Sequence, residues 1–335
     1  MKKYNETIKT KLNSFIKKNL KQKINFLLSI VGIKQIIYKS IYIFLSLFLK
    51  NNLVFLRGII FEINKKKSKY IFLDTMKKEK FLMFSNDEVV SKELFMRGDF
   101  DLGKFYKVLN ILKTKYSINN IYDIGANIGT VCIPAVKRGL ITKAIAIEPE
   151  KENYKLLKLN ISLNNLDSKI ETYNYALSFE DDKILDLEIS NKNSGDHRIR
   201  LSNTKPGIHG EEYRKTTKVK SKTFDNMFSN VNPKNDLIWI DTQGFESNIL
   251  MGAKKLILSG APIVIEFWPY GLKLNNSLEK LKDLLKNFKY YYDLSDNLDH
   301  KKEINFENVE SLFSGWDEEK SNKHNLFTDV LLLSE

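Results

Sequence analysis

From residue 118 onward the chain switches repeatedly between two hydrophobic periods, and that alternation leaves few folds open. Short apolar runs at Ile121–Ile124, Ala144–Ile147, Ile170–Ala176, Leu237–Ile240 and Ile263–Ile265 read as strands. Ile128–Lys137, Glu150–Leu163, Glu246–Leu258 and Leu278–Phe288 read as helices between and after them. Tyr290–Leu294 and Thr328–Leu333 supply two late strands. Such alternation predicts an α/β fold: a mainly parallel sheet with helices on both faces. In sheets of this kind ligands bind outside the carboxyl ends of the strands, so those ends are where function is sought.

The first strand runs into Asp123-Ile124-Gly125-Ala126-Asn127-Ile128-Gly129. Gly125 and Gly129 allow tight turns and close backbone approach to a ligand. The spacing is not that of a dinucleotide fingerprint, and the lysine of a P-loop is missing. The second strand ends in Glu148-Pro149, 25 residues after Asp123. An acid at that position can accept hydrogen bonds from a ribose diol. Its alternative role is a charge placed at the start of the helix from Glu150.

These motifs, Asp-Ile-Gly-Ala-Asn-Ile-Gly and then Ile-Glu-Pro, resemble class I S-adenosylmethionine-dependent methyltransferases. Ile240-Asp241-Thr242-Gln243-Gly244-Phe245-Glu246, Leu250-Met251-Gly252-Ala253 and Val264-Ile265-Glu266-Phe267 resemble the FkbM family in particular. Gly98-Asp99-Phe100-Asp101 resembles that family's lead-in, and the likeness spans roughly residues 85–335. The resemblance implies a Rossmann-like seven-stranded sheet with a reversed last strand. It implies S-adenosyl-L-methionine as cofactor, its methionine part cradled by Asp123, Gly125, Ala126, Asn127 and Gly129. Glu148 and Pro149 would then hold the ribose, and Asn174, Tyr175 and Ala176 would flank the adenine. Asn127 stands where many class I enzymes carry glycine, and asparagine tolerates the left-handed geometry such a place demands.

Methyl transfer requires an acceptor aligned with the methyl donor and water excluded. A hydroxyl acceptor also requires a base. Asp241, at the end of the fourth strand, is the first choice for the reacting centre: as base, as acceptor-positioning group, or as partner of the cofactor's amine. Its structural alternative is a carboxylate capping the next turn. His197, in the long stretch between the third and fourth strands, is the second candidate base, since histidine titrates near neutrality; the alternative is a solvated loop histidine. Glu266 is a third candidate for the acceptor pocket, or a structural hydrogen-bonding residue. The oxygen acceptor, a sugar, glycan or small-metabolite hydroxyl, comes from the resemblance alone. A nucleotide-binding oxidoreductase and an inactive membrane-docked binding protein are the competing readings.

Charge divides the chain. Residues 1–69 hold sixteen lysines and arginines against Glu6 and Glu62, a net +14, whereas residues 70–335 balance to −1. The basic excess therefore lies outside residues 70–335, which argues against a nucleic-acid substrate. We expect residues 1–69 to form a basic, apolar-rich helical extension and residues 70–335 the catalytic domain, with an insertion-like stretch over 177–236. Uncharged runs at Ile24–Ile33 and Ser40–Leu49 are too short to span a bilayer. They suit a peripheral membrane contact or packing on the domain or on a second copy. A single cysteine, Cys132, precludes an intramolecular disulfide and suits a cytoplasmic setting. His197, His209, His300 and His324 show no ligand spacing, so no metal is expected.

Overall fold

The structure is a computed structural model and describes residues 53–75, 77–200, 210–296, 299–317 and 326–335. The runs at Ile24–Ile33 and Ser40–Leu49 lie outside the described residues. The chain divides into two compact units, Met1–Arg57 and Gly58–Glu335. Residues 53–65 are helical.

After residue 65 comes a hairpin, β1 (Tyr70–Asp74) and β2 (Lys80–Phe84), then helices α1 (Val90–Arg97) and α2 (Leu102–Leu112). The alternation follows: β3 (Asn120–Ile124), α3 (Cys132–Lys137), β4 (Lys143–Ile147), α4 (Lys151–Leu163) and β5 (Ile170–Tyr173). Next come β6 (Ala176–Leu177), β7 (Ile184–Ile189), β8 (Arg198–Arg200), β9 (Lys215–Lys222) and α5 (Phe224–Met227). The chain then returns through β10 (Asp236–Ile240), α6 (Glu246–Met251), α7 (Lys254–Ser259), β11 (Ile263–Phe267), α8 (Pro269–Leu274) and α9 (Leu278–Leu285). It closes with β12 (Tyr290–Asp293), β13 (Lys301–Glu303), α10 (Phe306–Gly315) and β14 (Thr328–Leu333).

The main sheet has the order β13-β12-β14-β11-β10-β3-β4-β5. The strands from β11 to β5 pair in parallel, and β14 runs antiparallel between β11 and β12. The reversed last strand is thus present, but the sheet has eight strands rather than the expected seven. The extra one is β13, a three-residue edge whose Glu303 faces Tyr290. Period-two alternation divides the strands between two cores. Ile121, Leu237, Trp239, Val264 and Leu331 face one layer with α2, α3 and α4. Tyr122, Ile238, Ile240, Ile263, Ile265 and Leu332 face the other, with α6, α7 and α9. Every residue of β10, β11 and β14 is buried, as a sheet covered on both faces requires.

Three elements differ from the sequence pattern. The helix expected over Ile128–Lys137 starts only at Cys132, after the left-handed Gly129 (φ +92°). The strand expected over Ile170–Ala176 ends at Tyr173, and Ala176 starts β6 in a separate four-stranded sheet of order β6-β9-β7-β8. The stretch 177–236 builds most of that second sheet. The helix expected over Glu246–Leu258 is two helices broken at Gly252. A Cβ there would lie 2.0 Å from the Ser178 carbonyl oxygen, so the backbone of residue 178 occupies the helix surface. Asp225 then caps α7, accepting from Lys255 N (2.7 Å) and Leu256 N (3.2 Å).

The hairpin is held by two asparagines one turn apart, Asn160 on α4 and Asn164 at its C-cap. Asn160 accepts from Leu82 N (2.7 Å) and donates to Leu82 O (3.1 Å) and Ile128 O (3.0 Å). Asn164 accepts from Lys80 N (2.9 Å) and donates to Lys80 O (2.7 Å). The two amides stand in for a neighbouring strand along the free edge of β2. Asn160→Ala should therefore lower stability by about 1–3 kcal/mol, because it strands backbone groups without partners. Urea unfolding of wild type and variant at one pH measures this.

Candidate functional site

The site is built on the carboxyl ends of β3, β4, β10 and β11, together with the start of β14. After β3 the backbone turns at Gly125 (φ +88°), whose N–H, like that of Ala126, donates to Ile147 O (2.9 and 3.0 Å). A Cβ on Gly125 would lie 1.9 Å from the Asp241 carbonyl oxygen, so only glycine lets these two loops meet. Asn127 takes the left-handed conformation (φ +52°) and turns its N–H onto Glu148 Oε2 (2.8 Å). Glu148 Oε1 accepts from Glu150 N (2.8 Å). Burial pushes the Glu148 carboxyl up to about 8, against the pull of these two N–H donors. Asp123 accepts from Cys132 N (3.2 Å) and burial raises it to about 6.

Two adjoining clefts open here. The first and narrower is lined by Gly125, Asn127, Glu148, Pro149, Tyr175 and Ala176, with apolar walls from Leu187, Ile199 and Phe245. The second and wider takes Asp123, Ala126, Glu266 and Asp329 together with Trp268 and Phe327. Gly125, Asn127, Gly195, Asp241 and Gln243 line both. Of the candidate cofactor residues, Gly129 and Asn174 line neither cleft. Gly129 (φ +92°) leaves room for Ile133 and Leu157 inside the loop, and Asn174 braces the turn by donating to the carbonyls of Glu148 (2.8 Å) and Pro149 (3.0 Å).

His197 lines the first cleft, away from Glu266 and Asp329. Its Nδ1 accepts from Ser190 N (3.1 Å), so the neutral ring carries its proton on Nε2 and has no free lone pair for a hydroxyl. Desolvation of the partly buried ring lowers it to about 4.

Around Asp241 the carboxylates crowd. Glu266 on β11 lies directly opposite Asp329 on β14. Gln243 Nε2 donates to Asp241 Oδ1 (3.0 Å) and to both oxygens of Glu266 (2.9 Å each). Lys104 on α2 meets Asp329 (2.5 Å) and Asp101 (3.2 Å). Burial would lower Lys104, but Asp329 and Asp101 hold it above the ordinary lysine range. Burial, and then the charge of Asp329, raises Asp241; burial, and then Asp241, Glu246 and Asp329, raises Glu266 further. Glu246 accepts from Thr242 N and Oγ1 (2.9 and 3.0 Å), fixing the turn after β10. Lys104, Gln243 and Asp329 are absent from the residues that the sequence picks out. Gln243 lies inside a recognised motif and Lys104 three residues after another, but Asp329 has no local signal.

Residues 193–198 of the second sheet's loop overhang the strand ends. Ser194 Oγ donates to Asp87 (2.6 Å), the carboxylate that also receives the first N–H groups of α1, while Asn153 on α4 donates to Ser194 O (3.1 Å). Arg198 pairs with Asp196 (2.5 Å) and Glu211 (2.7 Å) and stacks on Trp268 (4.5 Å), walling the second cleft.

Residues 123–292 match the family model described as methyltransferase FkbM domain. No curated protein matches the chain. Among solved structures, TYW2 of P. horikoshii in complex with MeSAdo is 13% identical, covering 80% of this chain and 73% of that one with a TM-score of 0.33. TYW2 of M. jannaschii in complex with AdoMet is 12% identical over 79% and 86%, with a TM-score of 0.36. Residues 961–1257 of StiE O-MT are 12% identical over 72% and 80%, with a TM-score of 0.34.

The histidine gives a pH test. A neutral His197 contributes to folding fully above the unfolded value near 6.5, and that contribution is lost as pH falls toward the folded value of about 4. The unfolding free energy of wild type minus His197→Gln should shrink over that window. A difference that stays constant in urea titrations from pH 7 to 4 would contradict the buried neutral ring.

Proposed function

The chain belongs to the methyltransferase FkbM domain family, and from that premise we propose that it methylates a hydroxyl group of a sugar, glycan or small metabolite. The methyl donor is S-adenosyl-L-methionine. The residues fit that group: the first cleft offers the Glu148 carboxyl amid apolar walls, with Asp241 at its border with the second cleft, as a nucleoside with a diol requires. Glu148 and Pro149 would hold the ribose, Tyr175 and Ala176 the base, and the 125–127 loop with Asp123 the amino-acid part. When bound, the donor supplies an electrophilic methyl group whose C–S bonding pair stays on sulfur as the methyl leaves.

The observation that carries the reading is that Asp241 lines both clefts. A group there touches the donor on one side and the acceptor on the other. Asp241 takes the acceptor's O–H proton as the oxygen accepts the methyl, and later releases it to solvent. The second cleft supports a hydroxylated acceptor. Its carboxylates accept hydrogen bonds from hydroxyls, and Trp268, Phe327, Trp239 and Phe100 offer flat apolar faces for the rest of the molecule. The loop over 193–198 and the Arg198–Trp268 stack limit access of water. The oxidoreductase reading is not favoured by the family.

Asp241→Asn should lower turnover about 100-fold or more while cofactor affinity stays within a few fold. Glu148→Ala should weaken cofactor binding about tenfold, the loss of hydrogen bonds to a buried carboxyl. Calorimetry with the cofactor, and label transfer from it into a panel of sugars and small hydroxylated metabolites, measure both.

A peripheral membrane contact has its own support. On the helix over 53–65, Leu53, Phe55, Leu56, Ile59, Ile60 and Ile63 are exposed, and Lys65, Lys66, Lys67 and Lys69 follow. An apolar face beside a lysine cluster suits an anionic lipid surface. Among the described residues no helix is long and apolar enough to cross a membrane. The full chain should co-sediment with phosphatidylserine vesicles and bind neutral vesicles weakly. Phe55→Glu with Ile59→Glu should lose binding; sedimentation unaffected by that pair and by lipid charge would refute the contact.

A further inference from the structure

We propose that Asp241 and Glu266 form a pair holding one proton between them, with Glu266 protonated and Asp241 ionised, and that Gln243 is the positioning residue that joins them. This deepens the reading of Asp241 as the base and rests on it for its catalytic meaning. One nitrogen, Gln243 Nε2, lies 3.0 Å from Asp241 Oδ1 and 2.9 Å from both Glu266 oxygens, so the carboxyl groups stand within about 6 Å of each other. Two carboxyls that close, with Glu266 buried, do not ionise together. Gln243 takes a left-handed backbone conformation (φ +57°) to reach this place, a strained geometry for a side chain of its size.

The surroundings decide which member keeps the proton. Glu266 faces Asp241 just after β10, Glu246 on α6 and Asp329 on β14, with Lys104 on α2 the nearby cation. Asp241 faces Asp329 and Asp101; Lys104 and the Gln243 N–H groups reach both partners, and burial with its acidic neighbours raises Glu266 further than Asp241. Lys104 is already engaged by Asp329 and Asp101. Glu266 therefore holds its proton to higher pH than Asp241. In the reaction the acceptor O–H bond breaks, its electron pair forms the new O–C bond, and the proton passes to Asp241. Glu266 stays neutral throughout and keeps Asp241 from facing a second adjacent negative charge.

Infrared titration of the whole protein reads the pair without any substrate. At neutral pH the wild-type minus Glu266→Gln difference spectrum should contain the C=O stretch of one protonated carboxyl, separate from that of the raised Glu148, and the same difference should remain when both proteins also carry Asp241→Asn. Gln243→Leu should move the Asp241 titration upward by about one unit, the effect of losing a hydrogen bond to the charged form; Gln243→Met, which keeps the side-chain length and adds no charge, provides a second variant if the leucine form does not fold. With an acceptor that turns over, the pH profile of kcat/KM should show an acid limb shifted upward in Gln243→Leu and an alkaline limb missing in Glu266→Gln. An infrared difference with no Glu266 band at neutral pH, or an Asp241 titration unmoved by both Gln243 variants, would overturn the pair. If the bands behave as expected but Asp241→Asn still transfers methyl groups, the pair stands and the assignment of Asp241 as base fails.

Discussion

Four carboxylates reach the same edge on the same face of the main sheet, and the rest of the site is arranged around holding them there. Period-two alternation places Asp123, Asp241 and Glu266 on the side of Ile121, Trp239 and Val264, the face covered by α2. The reversed β14 adds Asp329 directly opposite Glu266, and like charges so placed destabilise a strand pair. Two compensations offset this. Lys104 projects from α2, whose Leu102, Phe105 and Val108 anchor it in the core. Gln243 uses one amide nitrogen for two carboxyl groups. The raised carboxyls are the physical consequence of burying more acid than the local cation can neutralise.

The opposite face of the same edge is apolar, and the two clefts reflect that division. Leu187, Ile199, Phe245 and Ile249 belong to the second core and wall the narrower cleft. Asp123, Glu266 and Asp329 line the wider one. The Gly125 turn and Asp241 sit at the crest between them, where the Asp241 carbonyl touches the glycine Cα face. A small apolar slot holding Glu148, beside a broad acidic, aromatic-walled chamber, with Asp241 between them, suits two ligands of different chemistry that must meet at one point. The loop from the second sheet closes over that point, tied through Ser194 to Asp87 and Asn153.

Much of this was legible along the chain. The strands over β3, β4, β10, β11 and β14 follow from continuous apolar runs, because a strand buried on both faces needs nothing else. Gly125, Asn127 and Glu148 were readable as a strand-end constellation, since a left-handed turn and an acid one βα unit later are local facts. His197 was visible as a candidate, but its partner, the Ser190 N–H, depends on how the loop folds back. The break at Gly252 was hidden for the same reason, as helical periodicity runs through it and the obstacle is the backbone of residue 178.

By itself, then, the sequence determined the alternation of elements, the edge at which ligands meet the sheet, and the glycine and acid that mark it. These depend on periodicity and on residues close in the chain, where backbone geometry leaves little choice. Only the tertiary structure decided that Asp329 faces Glu266, that Lys104 answers them, that Gln243 links Asp241 to Glu266, and that Asn160 and Asn164 complete a hairpin about eighty residues away. Those pairings depend on strand register and helix packing between distant segments, and hydrophobic pattern carries no record of which polar groups such packing will bring face to face.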